Sequence, residues 1–179
     1  MRIMGVSGLA GSGKSFVSEL AAERGAMIIS MGDIIREEAK KRGESTGETA
    51  ENLRKEYGQY IVAELTVKKI KKLLDEGFDS SIVVEGIRSP HEVTLFKESF
   101  SDFIILSIFA NQEIRFERIK ARKREDDATN FDEFKIREDR ELNFGIGDVV
   151  SLSDKIIINE SDLDSYLVEI EKFLEEYNI

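Results

Sequence analysis

Short apolar segments alternate with longer amphipathic stretches along the chain. The apolar segments are rich in Ile, Val, Met and Phe, and residues of the Gly, Ser, Asn and Asp type bound them. Runs of this length and composition are typical of buried β-strands. The pattern predicts five strands, at Ile3–Val6, Ala26–Ser30, Ser81–Glu85, Phe103–Phe109 and Lys155–Asn159.

The stretches between these strands are charged and carry apolar residues at helical spacing. One helix is predicted to group Ile61, Leu65, Lys68, Lys69 and Leu73 on a single face. An acidic helix is predicted over Asp162–Ile179. Its inward face is predicted to contain Leu163, Leu167, Ile170, Phe173 and Leu174. Strands that alternate with helices form βαβ units. We therefore predict an α/β protein with a five-stranded, mostly parallel sheet and helices on both faces.

The length and the spacing of the strands suggest one domain with two insertions. A chain of 179 residues suits a single core, so we take 1–179 as one domain. The stretches 31–77 and 111–150 are both longer than a simple crossover requires. Long insertions in compact α/β folds usually carry function.

Composition excludes several kinds of function. The 36 acidic and 26 basic residues give a net charge of −10, which disfavours general nucleic-acid binding. The chain has no cysteine, which excludes disulfides, thiolate zinc sites and cysteine nucleophiles. It shows neither a leader pattern nor a run of 18 apolar residues, so we expect a cytoplasmic protein that does not contact a membrane.

A phosphate-binding motif follows the first predicted strand. The string GLAGSGKS fits G-x-x-x-x-G-K-[ST], with a strand before it and helix-forming residues after it. In such a loop, backbone N–H groups and a helix N-terminus cradle phosphates, while the lysine reaches the β- and γ-phosphates and the serine binds Mg²⁺. The motif predicts a three-layer P-loop NTPase fold and a site for ATP and Mg²⁺, formed by Gly8, Leu9, Ala10, Gly11, Ser12, Gly13, Lys14 and Ser15.

A second charged motif follows the second predicted strand. Asp33 and Arg36 lie one helical turn apart, so both can contact one ligand. The string S-x-G-D-x-x-R, from Ser30 to Arg36, resembles the acceptor-binding segment of nucleoside monophosphate kinases of the adenylate kinase type. The resemblance implies that Arg36 binds the acceptor phosphate and that 31–77 is an acceptor-binding helical insertion. The alternative is a surface Asp–Arg pair.

The third predicted strand ends in an acid and is followed by an arginine. Ligands bind at the carboxyl edge of open α/β sheets, where Glu85 lies. Glu85 resembles the Walker B acid that holds Mg²⁺, and Arg88 resembles the arginine of the D-G-F-P-R segment in adenylate kinase-like enzymes. The resemblance implies that Glu85 is a metal ligand and that Arg88 binds the acceptor. The alternative for Glu85 is a carboxylate that caps the next helix.

Basic residues concentrate in the second insertion, at Arg115, Arg118, Lys120, Arg122, Lys123 and Arg124. Arg118 and Arg122 are four residues apart, where like charges repel unless an anion lies between them. We predict that Arg118, Arg122 and Arg137 close over a transferring phosphoryl group and that 111–150 is a lid-like helical insertion. The alternative is a set of solvated helix faces paired with nearby acids.

The segment from Leu152 to Leu163 resembles the A-D-x-x-I-x-N-x-G-x-L segment that ends dephospho-CoA kinases. The resemblance implies that Asn159 lies beside the adenine of ATP. Glu160 stands where the N-K-x-D motif of GTPases has its lysine, and we reject a GTPase on that ground. Over nearly its whole length the chain resembles an archaeal family of P-loop kinases related to dephospho-CoA kinase, with features shared with adenylate kinases.

The sequence therefore predicts an ATP- and Mg²⁺-dependent small-molecule kinase whose partners are a nucleotide donor and a nucleotide-like acceptor. Lys14, Arg118, Arg122 and Arg137 are the candidate catalytic residues, with Asp33 as a base if the acceptor is an alcohol. Two alternatives remain, a regulatory NTPase that switches a protein partner and a polynucleotide 5′-kinase. The acceptor, the choice between ATP and GTP and the oligomeric state stay open.

Overall fold

A computed structural model of the protein describes residues 1–122 and 128–179. The first half of the described chain contains β1 (Ile3–Ser7), α1 (Lys14–Glu23), β2 (Met27–Ser30), α2 (Met31–Arg42), α3 (Thr46–Tyr57), α4 (Ile61–Asp75) and β3 (Ile82–Ile87). The second half contains α5 (Pro90–Ser99), β4 (Ile104–Phe109), α6 (Gln112–Arg122), α7 (Phe131–Asn143), α8 (Ile146–Ser151), β5 (Lys155–Ile158) and α9 (Leu163–Glu176).

The strands form one parallel sheet in the order β2-β3-β1-β4-β5. Each of the five predicted strands is present to within two residues at either end. β1 lies at the centre, so the segment that follows it emerges from the middle of the carboxyl edge. The segments after β2 and β3 lie on one side of it, and those after β4 and β5 lie on the other.

Apolar side chains that alternate along the strands form two apolar layers, one on each face of the sheet. One layer receives Ile82 and Val84 of β3 and packs against α2, α4, α5 and α8. The other receives Val83 of the same strand and packs against α1 and α9. Neighbouring side chains of a strand point to opposite faces, so one apolar run supplies both layers. The predicted three-layer α/β architecture is confirmed.

The predicted face of α4 is partly wrong. Its buried side is formed by Val62, Ala63, Thr66, Val67 and Ile70. Of the predicted residues, Ile61 and Leu73 are partly buried against this side, whereas Leu65 is 37% exposed. The prediction included two lysines, which keep their charged ends in water. Buried Thr66 is compatible with the core because its hydroxyl donates to the Val62 carbonyl oxygen at 2.7 Å.

The C-terminal helix forms, with a partly different inward face. Ile170, Phe173 and Leu174 are buried as predicted. Leu163, at the first turn, is 50% exposed, and Tyr166 takes the buried place one turn later. The helix begins after Asp162, whose side chain accepts a hydrogen bond from the Ser165 N–H at 2.9 Å.

The two long insertions are helical. The stretch 31–77 contains α2, α3 and α4, and the stretch 111–150 contains α6, α7 and most of α8. Within 1–122 and 128–179, no helix combines the length and the apolar character needed to cross a membrane.

A glycine in the central strand is required by packing. A Cβ on Gly5 would overlap Ile87 Cδ1 and come within 2.9 Å of Phe103 Cζ. We expect Gly5→Ala to lower the free energy of unfolding by about 1–3 kcal/mol, because overpacking forces neighbouring side chains off their rotamers. Urea denaturation measures the change.

The control for this substitution is Gly147→Ala on α8, where the added Cβ meets no heavy atom within 4 Å. That variant should be as stable as the parent or more stable by up to about 1 kcal/mol, since Ala favours a helix over Gly. Equal stabilities for Gly5→Ala and the parent would contradict the packing described here.

Candidate active site

The loop at residues 8–15, called the phosphate loop below, takes its backbone conformation from three glycines. Gly8, Gly11 and Gly13 have φ values of +141°, +80° and +101°. L-residues with a side chain rarely adopt such values. A Cβ on Gly11 would come against the Arg115 carbonyl, and one on Gly13 would overlap the Asn159 side chain. Both the backbone conformation and the close neighbours therefore require glycine.

Side chains from three elements hold the carbonyl groups of the loop. Arg115 of α6 donates to the Ala10 carbonyl oxygen at 3.4 Å, and Tyr166 of α9 donates to that of Gly13 at 3.0 Å. Asn159, which follows β5, donates to the Ser12 carbonyl oxygen at 2.8 Å. In a trans peptide the carbonyl and the next N–H point in opposite directions.

Because these carbonyls point into the protein, the N–H groups of residues 11, 13 and 14 point the other way, toward the cavity over the loop. The loop therefore presents three N–H groups to the cavity, as a phosphate cradle requires. No motif in the sequence pointed to Tyr166 or to this role of Arg115, and for Asn159 the resemblance implied only a place beside adenine.

Lys14 lies folded over the loop. Its Nζ donates to the carbonyl oxygens of Gly8 at 2.6 Å and Leu9 at 3.0 Å. Burial lowers the pKa of Lys14 to about 8, with Glu141 and Glu85 opposing that change. The lysine of the motif is thus held at the phosphate site with a proton that it loses more readily than an exposed lysine does.

One cavity of about 640 Å³ joins the loop to the predicted residues on both sides of β1. It is lined on the loop by Ala10, Gly11, Gly13, Lys14 and Ser15, on the β2–β3 side by Ser30, Gly32, Arg36, Glu85, Gly86 and Arg88, and elsewhere by Phe16, Arg118, Arg122, Arg137, Asn159, Ser161 and Leu163. Six of these residues are cationic and one is acidic. The cavity therefore suits strongly anionic ligands.

Not every predicted residue faces this cavity. Gly8, Leu9 and Ser12 belong to the loop but do not line it, and Asp33 does not line it either. The Asp33 carboxylate accepts a hydrogen bond from Arg36 Nε at 3.0 Å, and this pair is half exposed. Arg36 thus stands between Asp33 and the cavity. The acceptor role of Asp33 stays a prediction.

The predicted metal ligands share the cavity and present oxygen donors. Ser15 is the second residue of α1, and Glu85 is the fourth residue of β3. Glu85 Oε1 also accepts a hydrogen bond from Ser18 Oγ at 2.6 Å, which fixes the carboxylate toward α1. Mg²⁺ usually takes one or two protein oxygens and completes its shell with phosphate and water oxygens. A hydroxyl and a carboxylate in this position fit such an ion.

The predicted arginine cluster is brought together from two helices. Arg118 and Arg122 of α6 and Arg137 of α7 all line the cavity. Arg118 Nη2 donates to the Asn159 carbonyl oxygen at 3.0 Å, while its Nη1 is buried with no hydrogen-bond partner among the described residues. Two further basic residues of the predicted cluster, Lys123 and Arg124, lie outside the described residues.

A buried ion pair positions the segment that carries Arg88. Glu92 accepts hydrogen bonds from the Arg88 and Ser89 N–H groups at 2.7 and 3.1 Å, and from Arg54 Nη2 at 2.6 Å. The pattern Ser89-x-x-Glu92 is a capping box, so the sequence held a signal for this helix start that was not used. Arg54 belongs to α3, so this ion pair connects the first insertion to the segment that carries Arg88.

Comparison with known proteins identifies relatives along the whole chain. Residues 7–135 match the profile of a family described as an AAA domain. A UPF0200 protein of Methanothermobacter thermautotrophicus is 48% identical over 163 residues, which cover 91% of this chain and 84% of that protein. A UPF0200 protein of Pyrococcus furiosus is 42% identical over 179 residues, which cover 96% of this chain and 95% of the relative.

Two solved structures with a similar fold carry the word kinase in their titles. A sugar kinase from Janibacter sp. HTCC2649 has a TM-score of 0.67 at 14% identity and covers 100% of this chain and 95% of its own. A shikimate kinase from Bacteroides thetaiotaomicron has a TM-score of 0.64 at 14% identity and covers 99% of both chains. At such identities the likeness concerns the fold, and it confirms the predicted three-layer P-loop fold.

The pKa of Lys14 predicts how binding depends on pH. Only the protonated lysine attracts phosphate, and the free protein loses that proton near pH 8. We expect ATP affinity to fall about tenfold between about pH 7.5 and about pH 9.5, where an ordinary lysine would stay charged. Isothermal titration calorimetry at several pH values measures this.

The control for the pH dependence is Lys14→Arg, whose guanidinium stays charged throughout this range. Its affinity should change less than about twofold over the same interval, whatever its absolute value. An equal loss of affinity in both proteins would mean that another group titrates.

Proposed function

The chain belongs to the UPF0200 family and to the family described as an AAA domain, and we propose that it is an ATP- and Mg²⁺-dependent small-molecule kinase. The observation that carries the proposal is the single cavity that joins the phosphate loop to cationic side chains on both sides of β1. A protein that only binds and hydrolyses ATP needs the phosphate loop and cationic side chains on one side of β1. A kinase needs both, because donor and acceptor must meet at the γ-phosphoryl.

On the donor side, the loop N–H groups and Lys14 bind the phosphates. Ser15 and Glu85 would hold Mg²⁺, which when bound supplies positive charge to the phosphate oxygens. Arg118, Arg122 and Arg137 stabilise the negative charge that develops on the transferring group. The buried, unpartnered Nη1 of Arg118 supports this role, since a buried guanidinium nitrogen without a partner favours an anion beside it.

On the acceptor side, Arg36 and Arg88 bind an anionic group of the second substrate. They line the cavity after β2 and β3, next to the backbone of Gly32 and Gly86. Guanidinium groups suit phosphates and carboxylates, because their planar N–H pairs match the spacing of the oxygens. We propose a nucleotide or nucleotide-like acceptor, such as a nucleoside monophosphate or dephospho-CoA.

An acceptor with a hydroxyl nucleophile gives Asp33 a role. A phosphate acceptor needs no base, whereas an alcohol must lose a proton during transfer. Asp33 would reach that proton after Arg36 turns from the carboxylate to the anionic group of the substrate. The two structural neighbours titled sugar kinase and shikimate kinase make hydroxyl acceptors worth including in any assay.

Incubation with γ-labelled ATP, Mg²⁺ and a panel of acceptors tests the proposal. The panel contains nucleoside monophosphates, dephospho-CoA and shikimate. We expect one class to yield a labelled product, and Lys14→Ala to lower the rate at least about 100-fold, because the lysine contacts the charge that moves in the transition state. Lys172→Ala, an exposed lysine on α9, should keep the rate within about twofold of the parent.

The absence of any Lys14-dependent product across the panel would contradict the kinase proposal. Nucleotide-dependent binding of a protein partner without such a product would favour a regulatory switch. Lys14-dependent labelling of a single-stranded oligonucleotide would instead favour a polynucleotide 5′-kinase.

A further inference from the structure

One buried carboxylate lies among the cations of the cavity, and none of the roles above uses it. Glu141 belongs to α7 and is 4% exposed. Its Oε1 lies 3.8 Å from Arg88 Nη2 and 3.6 Å from Arg137 Nε. A single oxygen therefore faces two guanidinium groups, one from the segment after β3 and one from the lid-like insertion.

The surrounding charges keep Glu141 ionised. Burial acts to raise the pKa of its carboxyl, but Arg88, Lys14, Arg137 and Arg140 outweigh burial and lower that pKa. A carboxylate this deeply buried is stable only beside such partners. Conversely, two guanidinium groups brought this close repel each other unless an anion lies between them.

We propose that Glu141 is a positioning residue that holds Arg88 and Arg137 converged on the group that Lys14 binds, the γ-phosphoryl of ATP. The inference rests on the proposed kinase function and assigns a role to a residue outside the P-loop and acceptor motifs. Arg88 comes from the acceptor side and Arg137 from the lid, so one carboxylate aligns both substrate sides. The fixed negative charge of Glu141 also repels the phosphates of ATP and therefore lowers the affinity for ATP.

This dual effect gives the proposal a specific signature. Glu141→Gln keeps the shape of the side chain and removes the charge. We expect it to bind ATP at least about threefold more tightly, because the cavity becomes more positive, and to lower kcat at least about tenfold, because the arginines lose their common anchor. Damage to the fold would instead weaken binding and turnover together.

Calorimetry with ATP in the absence of acceptor measures the first effect, and steady-state rates with the acceptor that the panel assay identifies measure the second. The matched control is Asp139→Asn on the same helix, which removes the same charge from a half-exposed carboxylate that pairs with Lys135 at 2.8 Å. Asp139→Asn should leave both values within about twofold of the parent. A similar gain of affinity in this control would overturn the proposal, since total charge alone would then explain it.

A double-mutant cycle with Arg137→Ala tests whether Glu141 acts through the arginine. In that background we expect Glu141→Gln to lower kcat by less than about threefold, because one of the two groups that it positions is gone. Additive losses would overturn the positioning role, and so would an unchanged or weaker ATP affinity of Glu141→Gln itself. If the parent protein transfers no phosphoryl group, the kinase proposal fails, while tighter ATP binding by Glu141→Gln would still support a carboxylate at the phosphate site.

Discussion

The direction of a few peptide groups in the phosphate loop determines what the rest of the site can do. The carbonyls of Ala10, Ser12 and Gly13 accept hydrogen bonds from side chains of the protein body, so the following N–H groups face outward. A loop free to rotate its peptides would offer a phosphate no fixed donors. The side chains that donate these hydrogen bonds come from α6, from the residue after β5 and from α9, which are far apart in sequence. The loop motif depends on the whole α/β fold for its conformation.

Charge distribution is the second determinant. The chain carries a net charge of −10, yet six of the seven charged residues that line the cavity are cationic. Three further acids near the site are buried and paired with arginines: Glu92 with Arg54, Glu138 with Arg115, and Glu141 with the cavity-lining Arg88 and Arg137. Buried acids of this kind fix the orientation of guanidinium groups without lining the cavity themselves. An acidic protein can therefore present a strongly cationic site.

The sequence was sufficient to predict the features that depend on local pattern. The five strands, the phosphate loop and the helical content of both insertions follow from apolar runs, glycine spacing and helical periodicity. Arg36, Arg88, Arg118 and Arg122 were found because each lies close to a recognisable motif or charge cluster, and each lines the cavity. The topology of parallel strands then explains why they meet, since the carboxyl ends of all the strands share one edge.

Features that depend on which distant elements meet were not predicted. The inward face of α4 was partly wrong, because the apolar residues of one helix do not reveal which side meets the sheet. The contacts of Asn159 were not predicted: its amide donates to the Ser12 carbonyl oxygen of the loop and its oxygens accept from Arg118. Its place beside adenine stays a prediction. Glu141 looks in sequence like one acid among many on a charged helix. Its burial, and hence its importance, becomes visible only when α7 packs beside the loop.

The same packing links the two insertions to each other. Arg54 of α3 pairs with Glu92 and lies with its guanidinium 4.3 Å from the ring centre of Phe144, at the end of α7. A rigid movement of α7 away from the sheet would separate that ring from Arg54 and also separate Glu141 from Arg88. Both contacts lead to the segment that carries Arg88 and starts α5. Arg54 reaches this segment through its ion pair with Glu92, and Glu141 reaches it directly at Arg88. A movement of α7 would therefore act on both ends of residues 88–92, on the Arg88 guanidinium directly and on Glu92 through Arg54.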